Sequence, residues 1–103
     1  MQKPPEAGFL AGRAECYLKL NQPELALKDA DEAVKRSPGG SWPCLFARAR
    51  SRARLGKLDK AILDYGEGLT MHQEGAISLE RAQVYERMGN KIRADADRRT
   101  GRH

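Results

Sequence analysis

Aromatic side chains make up only 6% of this 103-residue chain, and cysteine, histidine and tryptophan number two, two and one. Cys16 and Cys44 form no CxxC pair and have no histidines at metal-ligand spacing, so neither a disulfide framework nor a zinc site is predicted. Reduced thiols packed as small apolar groups, in a cytosolic or nuclear setting, are the simpler expectation. No apolar run is long enough to cross a bilayer, and residues 1–6 lack the apolar stretch of a secretory signal, which predicts a soluble chain without membrane contact. No segment alternates β-branched residues in the manner of a strand, so a sheet is not expected. Pro38-Gly39-Gly40-Ser41 lacks the Lys-Ser or Lys-Thr that would follow in a phosphate-cradling loop, and reads as a linker. His72 falls near a helix end and His103 is terminal, so neither is a general base oriented by a third group. An enzyme is therefore not expected, nor is a cofactor or a metal.

What the chain has in abundance is repetition. Arg13-Ala14-x2-Tyr17, Arg48-Ala49-x2-Arg52 and Arg81-Ala82-x2-Tyr85 each precede a turn at Asn21, Gly56 or Gly89 and then an alanine at Ala26, Ala61 or Ala94. Ala14 to Ala49 is 35 residues and Ala49 to Ala82 is 33, and the second alanine series has the same intervals. A unit of this length cannot bury its own apolar face, so copies must stack to build a core. The whole chain has room for one compact unit that buries somewhat over ~60% of its unfolded surface.

Within each copy the apolar residues recur at helical spacing on both sides of a short turn. Phe9, Leu10, Ala14, Tyr17 and Leu18 precede Asn21-Gln22-Pro23; Leu25, Ala26, Ala30, Ala33 and Val34 follow it. Pro23 suits the first turn of a helix, where its missing N–H has no intrahelical partner. The pattern predicts an all-α fold of stacked antiparallel helical hairpins over about 7–38, 42–73 and 75–99. Residues 1–6 would be a tail or the remnant of a preceding repeat, residues 7–99 the domain, and residues 100–103 a second tail. The helix over 91–100 is polar enough to serve as a solvating cap.

These residues resemble the tetratricopeptide repeat, with its pattern W-x2-L-G-x2-Y, A-x3-F and P in 34 residues. The first unit reads Leu10-x2-Arg13-Ala14-x2-Tyr17, Ala26-x3-Ala30 and Pro38; the second reads Leu45-x2-Arg48-Ala49-x2-Arg52 and Ala61-x3-Tyr65; the third keeps Ala82, Tyr85 and Ala94. The second unit adds Gly68 but has Gln73 where the closing proline would fall, and the third has Ser78 and Arg98 where bulky apolar groups are usual. Pro4, 34 residues before Pro38, falls where a preceding repeat would close, which suggests a piece of a longer array. The resemblance implies a right-handed α-α superhelix, or solenoid, whose small residues let paired helices approach closely. It also implies a peptide-binding groove lined by the first helix of each hairpin. The residues it places there include Glu15, Lys19, Phe46, Arg50, Arg54, Leu79, Glu80, Gln83 and Arg87.

The middle of that surface carries arginines beside an aromatic, so the expected ligand is an acidic peptide or partner segment held by guanidinium forks. The family's carboxylate clamp for chaperone tails is not expected. Its places here hold Gly12, Ala47 and Glu80, preceded four residues earlier by Gly8, Pro43 and Ala76. Nucleic acid is the rival ligand, prompted by Arg48-x-Arg50-x-Arg52-x-Arg54 and by a formal charge of +5. Two-residue steps turn a helix by ~200°, however, so these arginines divide between faces. Arg48 and Arg52 fall at partly buried motif positions and need carboxylate partners such as Asp64 or Glu67. Self-association through an uncovered hairpin face is a third reading. Asp29 with Asp31, and Asp95 with Asp97, point to different helix faces and read as solvated exterior. Trp42 reads either as an exposed anchor or as a wedge at the turn between repeats.

Overall fold

A computed structural model gives the structure and describes residues 6–37, 41–89, 93 and 97–99. Five helices follow in order: α1 (Ala7–Lys19), α2 (Pro23–Lys35), α3 (Trp42–Arg54), α4 (Leu58–Met71) and α5 (Gly75–Arg87). Residues 97–99 are also helical, and no strand occurs among the described residues. The helices α1 and α2 pack as one antiparallel hairpin and α3 and α4 as the next; α2 and α1 both lie against α3, and α4 lies against α5. The chain is thus an α-α superhelical array of stacked hairpins, elongated to 51 × 26 × 19 Å. The predicted break at 38–40, Ala94, Asp95 and most of the polar helix over 91–100 lie outside the described residues.

Turn chemistry sets the hairpins. Gln22 N–H donates to Tyr17 O at 2.8 Å and Asn21 N–H to Leu18 O at 3.0 Å, while Lys57 N–H donates to Arg52 O at 2.8 Å and Gly56 N–H to Ala53 O at 3.1 Å. This paired six-to-one and five-to-two bonding closes the helix C-terminus and requires a left-handed residue just past the end. Asn21 supplies it with φ 58°, and Gly56 and Gly89 with φ 79° each. Glycine has no Cβ to oppose that conformation, and asparagine tolerates it better than most residues. Pro23 then occupies the first turn of α2 as expected.

The core follows the small-residue series. Ala14, Ala26, Ala49, Ala61 and Ala82 are all fully buried, so the paired helices approach without bulk between them. One cluster joins Leu10, Leu18, Ala30, Ala33 and Cys44 across the first hairpin and α3. A second joins Phe46, Tyr65, Leu69, Ile77 and Val84 across α3, α4 and α5. Cys44 packs as a small apolar residue, whereas Cys16 is exposed, contrary to the packed position expected for both.

Each hairpin carries the same ion pair. Arg13 Nε and Nη2 donate to Asp29 at 2.6 and 2.9 Å, Arg48 Nε and Nη2 to Asp64 at 3.0 and 2.8 Å, and Arg81 Nε and Nη2 to Asp97 at 2.7 and 2.5 Å. The two residues are 16 positions apart in every case. Asp29 and Asp97 are therefore buried and bonded, not solvated as their spacing suggested. Arg52 Nη1 adds a third bond to Asp64 at 2.7 Å, so both arginines that replace apolar motif residues in the second unit share one buried carboxylate. These bonds hold the guanidinium groups of Arg13, Arg48 and Arg81 above the usual arginine range.

Candidate functional site: a groove across α1, α3 and α5

The repeat interval that aligns the alanines also aligns two rows of polar side chains. Glu15, Arg50 and Gln83 form one row across α1, α3 and α5, at steps of 35 and 33 residues; Lys19, Arg54 and Arg87 form the next, one helical turn onward. Arg54 and Arg87 are the last residues of their helices, as Lys19 is of α1. Cations at these positions lie against the negative ends of the helix dipoles. The helices α1 and α3 pack side by side whereas α3 and α5 approach each other less closely, and a groove of about 340 Å³ opens on this face. Both rows line it, with Leu18, Ala53 and Val84 as apolar floor and Tyr65 and Glu80 between α3 and α5.

Arg50 sits at the centre of this floor, and its charge is already matched. Its Nε and Nη2 donate to Glu80 Oε1 and Oε2 at 2.7 and 2.9 Å, and its Nη1 donates to Glu15 Oε2 at 2.8 Å. Tyr65 O–H also donates to Glu80 Oε1 at 3.2 Å. Glu80's bonds and charge raise Arg50 well above the ordinary guanidinium range. Burial, then the charge of Glu80, pushes the Tyr65 hydroxyl far above the usual phenol range. The rim is less occupied: Arg54 Nη2 donates to Asn21 Oδ1 at 2.8 Å and Arg87 Nη1 to Ala53 O at 2.9 Å. Lys19 is exposed.

Of the residues assigned to the groove from sequence, Glu15, Lys19, Arg50, Arg54, Glu80, Gln83 and Arg87 line it. Phe46 does not. Its ring is 2% exposed and packs inward against Trp42 and Tyr65, with ring centroids 5.7 and 6.5 Å away. Leu79 is 39% exposed but lies outside the groove. The cationic centre expected around Arg50 is also corrected, because Glu15 and Glu80 outnumber it. Tyr65, on α4, was not among the groove residues expected from sequence. No pattern in its own helix marks it; Glu80, an acid on the expected inner wall beside the arginine row, is the group its hydroxyl reaches.

No protein-family model matches the chain. It is 36% identical over 78 residues to the FK506-binding protein-like proteins of Mus musculus and Homo sapiens, a match covering 75% of this chain and 22% of each relative. It is 33% identical over 72 residues to outer dynein arm-docking complex subunit 4 of Xenopus laevis, covering 70% of this chain and 13% of that protein. The chain thus spans about a fifth or less of the length of these curated relatives.

The same geometry bears on the arginine run of α3. Arg48 and Arg52 are bound to Asp64, and Arg50 to Glu80 and Glu15, which leaves Arg54 as the one member of the run without a carboxylate partner among the described residues. Trp42 stacks on His72 with ring centroids 4.0 Å apart and planes at 13°, joining the start of α3 to the end of α4. No helix among the described residues is long and apolar enough to cross a membrane.

Proposed function

We propose that this chain is a set of tetratricopeptide-like hairpins and acts as a non-catalytic scaffold that holds a segment of a partner protein in the groove across α1, α3 and α5. The observation that carries this reading is the convergence of equivalent side chains from three helices on one face, with Lys19, Arg54 and Arg87 along its rim. Such a row suits carboxylates on the partner, because guanidinium forks bind them in two-point geometry and the helix C-termini hold the cations in place. The likeness to a protein named for a docking complex supports partner binding. The ion pairing within α3 favours a protein ligand over nucleic acid, since most of the charge that would meet phosphates is already neutralised.

The test is capture of partners from lysate by the wild-type chain and by the double variant Arg54→Glu, Arg87→Glu, with mass spectrometry as readout. Both residues are exposed, so the variant should keep its helicity while losing the specific partners. An unchanged set of partners removes the groove from the proposal. Partners that dissociate steeply with salt and prove to be nucleic acid would favour the rival ligand.

A further inference from the structure

The floor and the rim of the groove carry opposite charge, and this defines the ligand more narrowly than acidity does. Glu15 and Glu80 share the single guanidinium of Arg50, so the three together keep one net negative charge. The rim row of Lys19, Arg54 and Arg87 is wholly cationic. Acceptors also exceed donors on the floor. Arg50 and Tyr65 both give to Glu80, Glu15 receives one bond at Oε2, and Glu15 Oε1 receives none. Glu15 Oε1 is buried while the Glu15 side chain as a whole is 37% exposed, so a basic group in the groove meets the unmatched charge of this carboxylate. A ligand carboxylate laid on the floor would meet two like charges and an arginine whose fork is already filled, which is unfavourable on both counts.

We propose that the groove takes a partner segment in which a lysine or arginine lies two residues from an aspartate or glutamate, the basic group seated on Glu15 and Glu80 and the acid on the rim. The spacing comes from the helices. Glu15 and Lys19 on α1, and Arg50 and Arg54 on α3, are four residues apart, a rise of ~6 Å; Glu80 joins the floor level through its bonds to Arg50, and two residues of an extended strand span ~6.6 Å with both side chains on one face. A segment running parallel to α3 therefore meets one row with each of two alternate side chains. This specificity rests on the groove reading above.

The experiment uses capped nonapeptides in a serine-glycine background, with Lys-x-Glu, Glu-x-Lys, Glu-x-Glu and Lys-x-Lys at the centre. Binding is followed by anisotropy and mapped by amide chemical shifts on the full chain. One of the two mixed peptides should bind about tenfold more tightly than either single-charge peptide, the scale of one charge-assisted hydrogen bond. Glu15→Gln, which leaves the Arg50–Glu80 fork intact, should reduce that preference to about twofold or less. Tightest binding by Glu-x-Glu, or a preference unchanged in Glu15→Gln, overturns the mixed-charge ligand. If Glu-x-Glu then still loses binding in Arg54→Glu, Arg87→Glu, the groove survives with a purely acidic ligand. No binding by any peptide, or shifts confined to another face, removes both.

Discussion

The ring of Phe46 occupies the space that the missing side chain of Gly68 leaves on α4. A Cβ built at Gly68 would run into Phe46 Cε1 and fall 2.8 Å from Cδ1, closer than real contacts allow, and both residues are buried. A mid-helix glycine is normally a weakness worth ~1 kcal/mol against alanine. Here the balance reverses. Gly68→Ala should lower stability by ~1–3 kcal/mol through overpacking, and pairing it with Phe46→Leu should recover part of the loss. Gly66, two residues earlier with open space around its Cβ position, is the control: Gly66→Ala should raise stability by up to ~1 kcal/mol. Urea denaturation of the three variants beside the wild type checks both signs.

Asp64 is 2% exposed and accepts from both Arg48 and Arg52. Asp64→Ala leaves two partly buried guanidinium groups without their shared acceptor. It should cost ~3–5 kcal/mol, by the same measurement, as broken buried ion pairs do. Asp31, whose carboxylate lies 3.8 Å from Arg48 and is largely exposed, should cost under ~1 kcal/mol when changed to alanine.

Tyr65 holds its proton in the folded chain to well above the usual phenol range, through burial and the neighbouring charge of Glu80. In the unfolded chain it titrates near ~10. Above that pH the unfolded state binds fewer protons than the folded state, so stability falls as pH rises; below it the contribution is fully present. Stability of the wild type should therefore decline more steeply above pH ~10 than that of Tyr65→Phe, as read by denaturant midpoints across an alkaline series.

Trp42 is the single tryptophan, partly exposed, and lies flat on His72. His72→Ala should uncover the indole, shift its emission to longer wavelength and lower stability by ~0.5–1.5 kcal/mol, the scale of an aromatic pair. An unmoved spectrum would show that the stack does not persist in solution.

Much of the fold was legible because its causes are periodic. The alanine series, the turn at Asn21, Gly56 and Gly89, and the shared place of Arg13, Arg48 and Arg81 all recur in the chain, and each maps to one structural element. Asp64 was reachable too, since an arginine on a buried face requires an acceptor. The partners of Asp29 and Asp97 were not legible, because a two-residue spacing reports only on their own helix, whereas the partner of each lies 16 residues back on the preceding one. Phe46 was misplaced for a related reason. Its inward turn depends on volume absent from Gly68 on another helix, and periodicity carries no record of volume. The neutralisation of Arg50 was hidden likewise, because Glu80 is 30 residues away and meets it only when α5 is in place.

The interval between equivalent residues shortens from 35 to 33, yet the arginine-to-aspartate spacing inside each hairpin stays at 16. The difference therefore falls beyond the ion pairs, where α4 runs one residue longer than α2 and three residues rather than six lead on to the next hairpin. Hairpins are the invariant parts and joints the adjustable ones. A change in joint length re-aims every later hairpin as a body, so the curvature of such a chain can evolve by insertion or deletion without disturbing any of its internal fastenings.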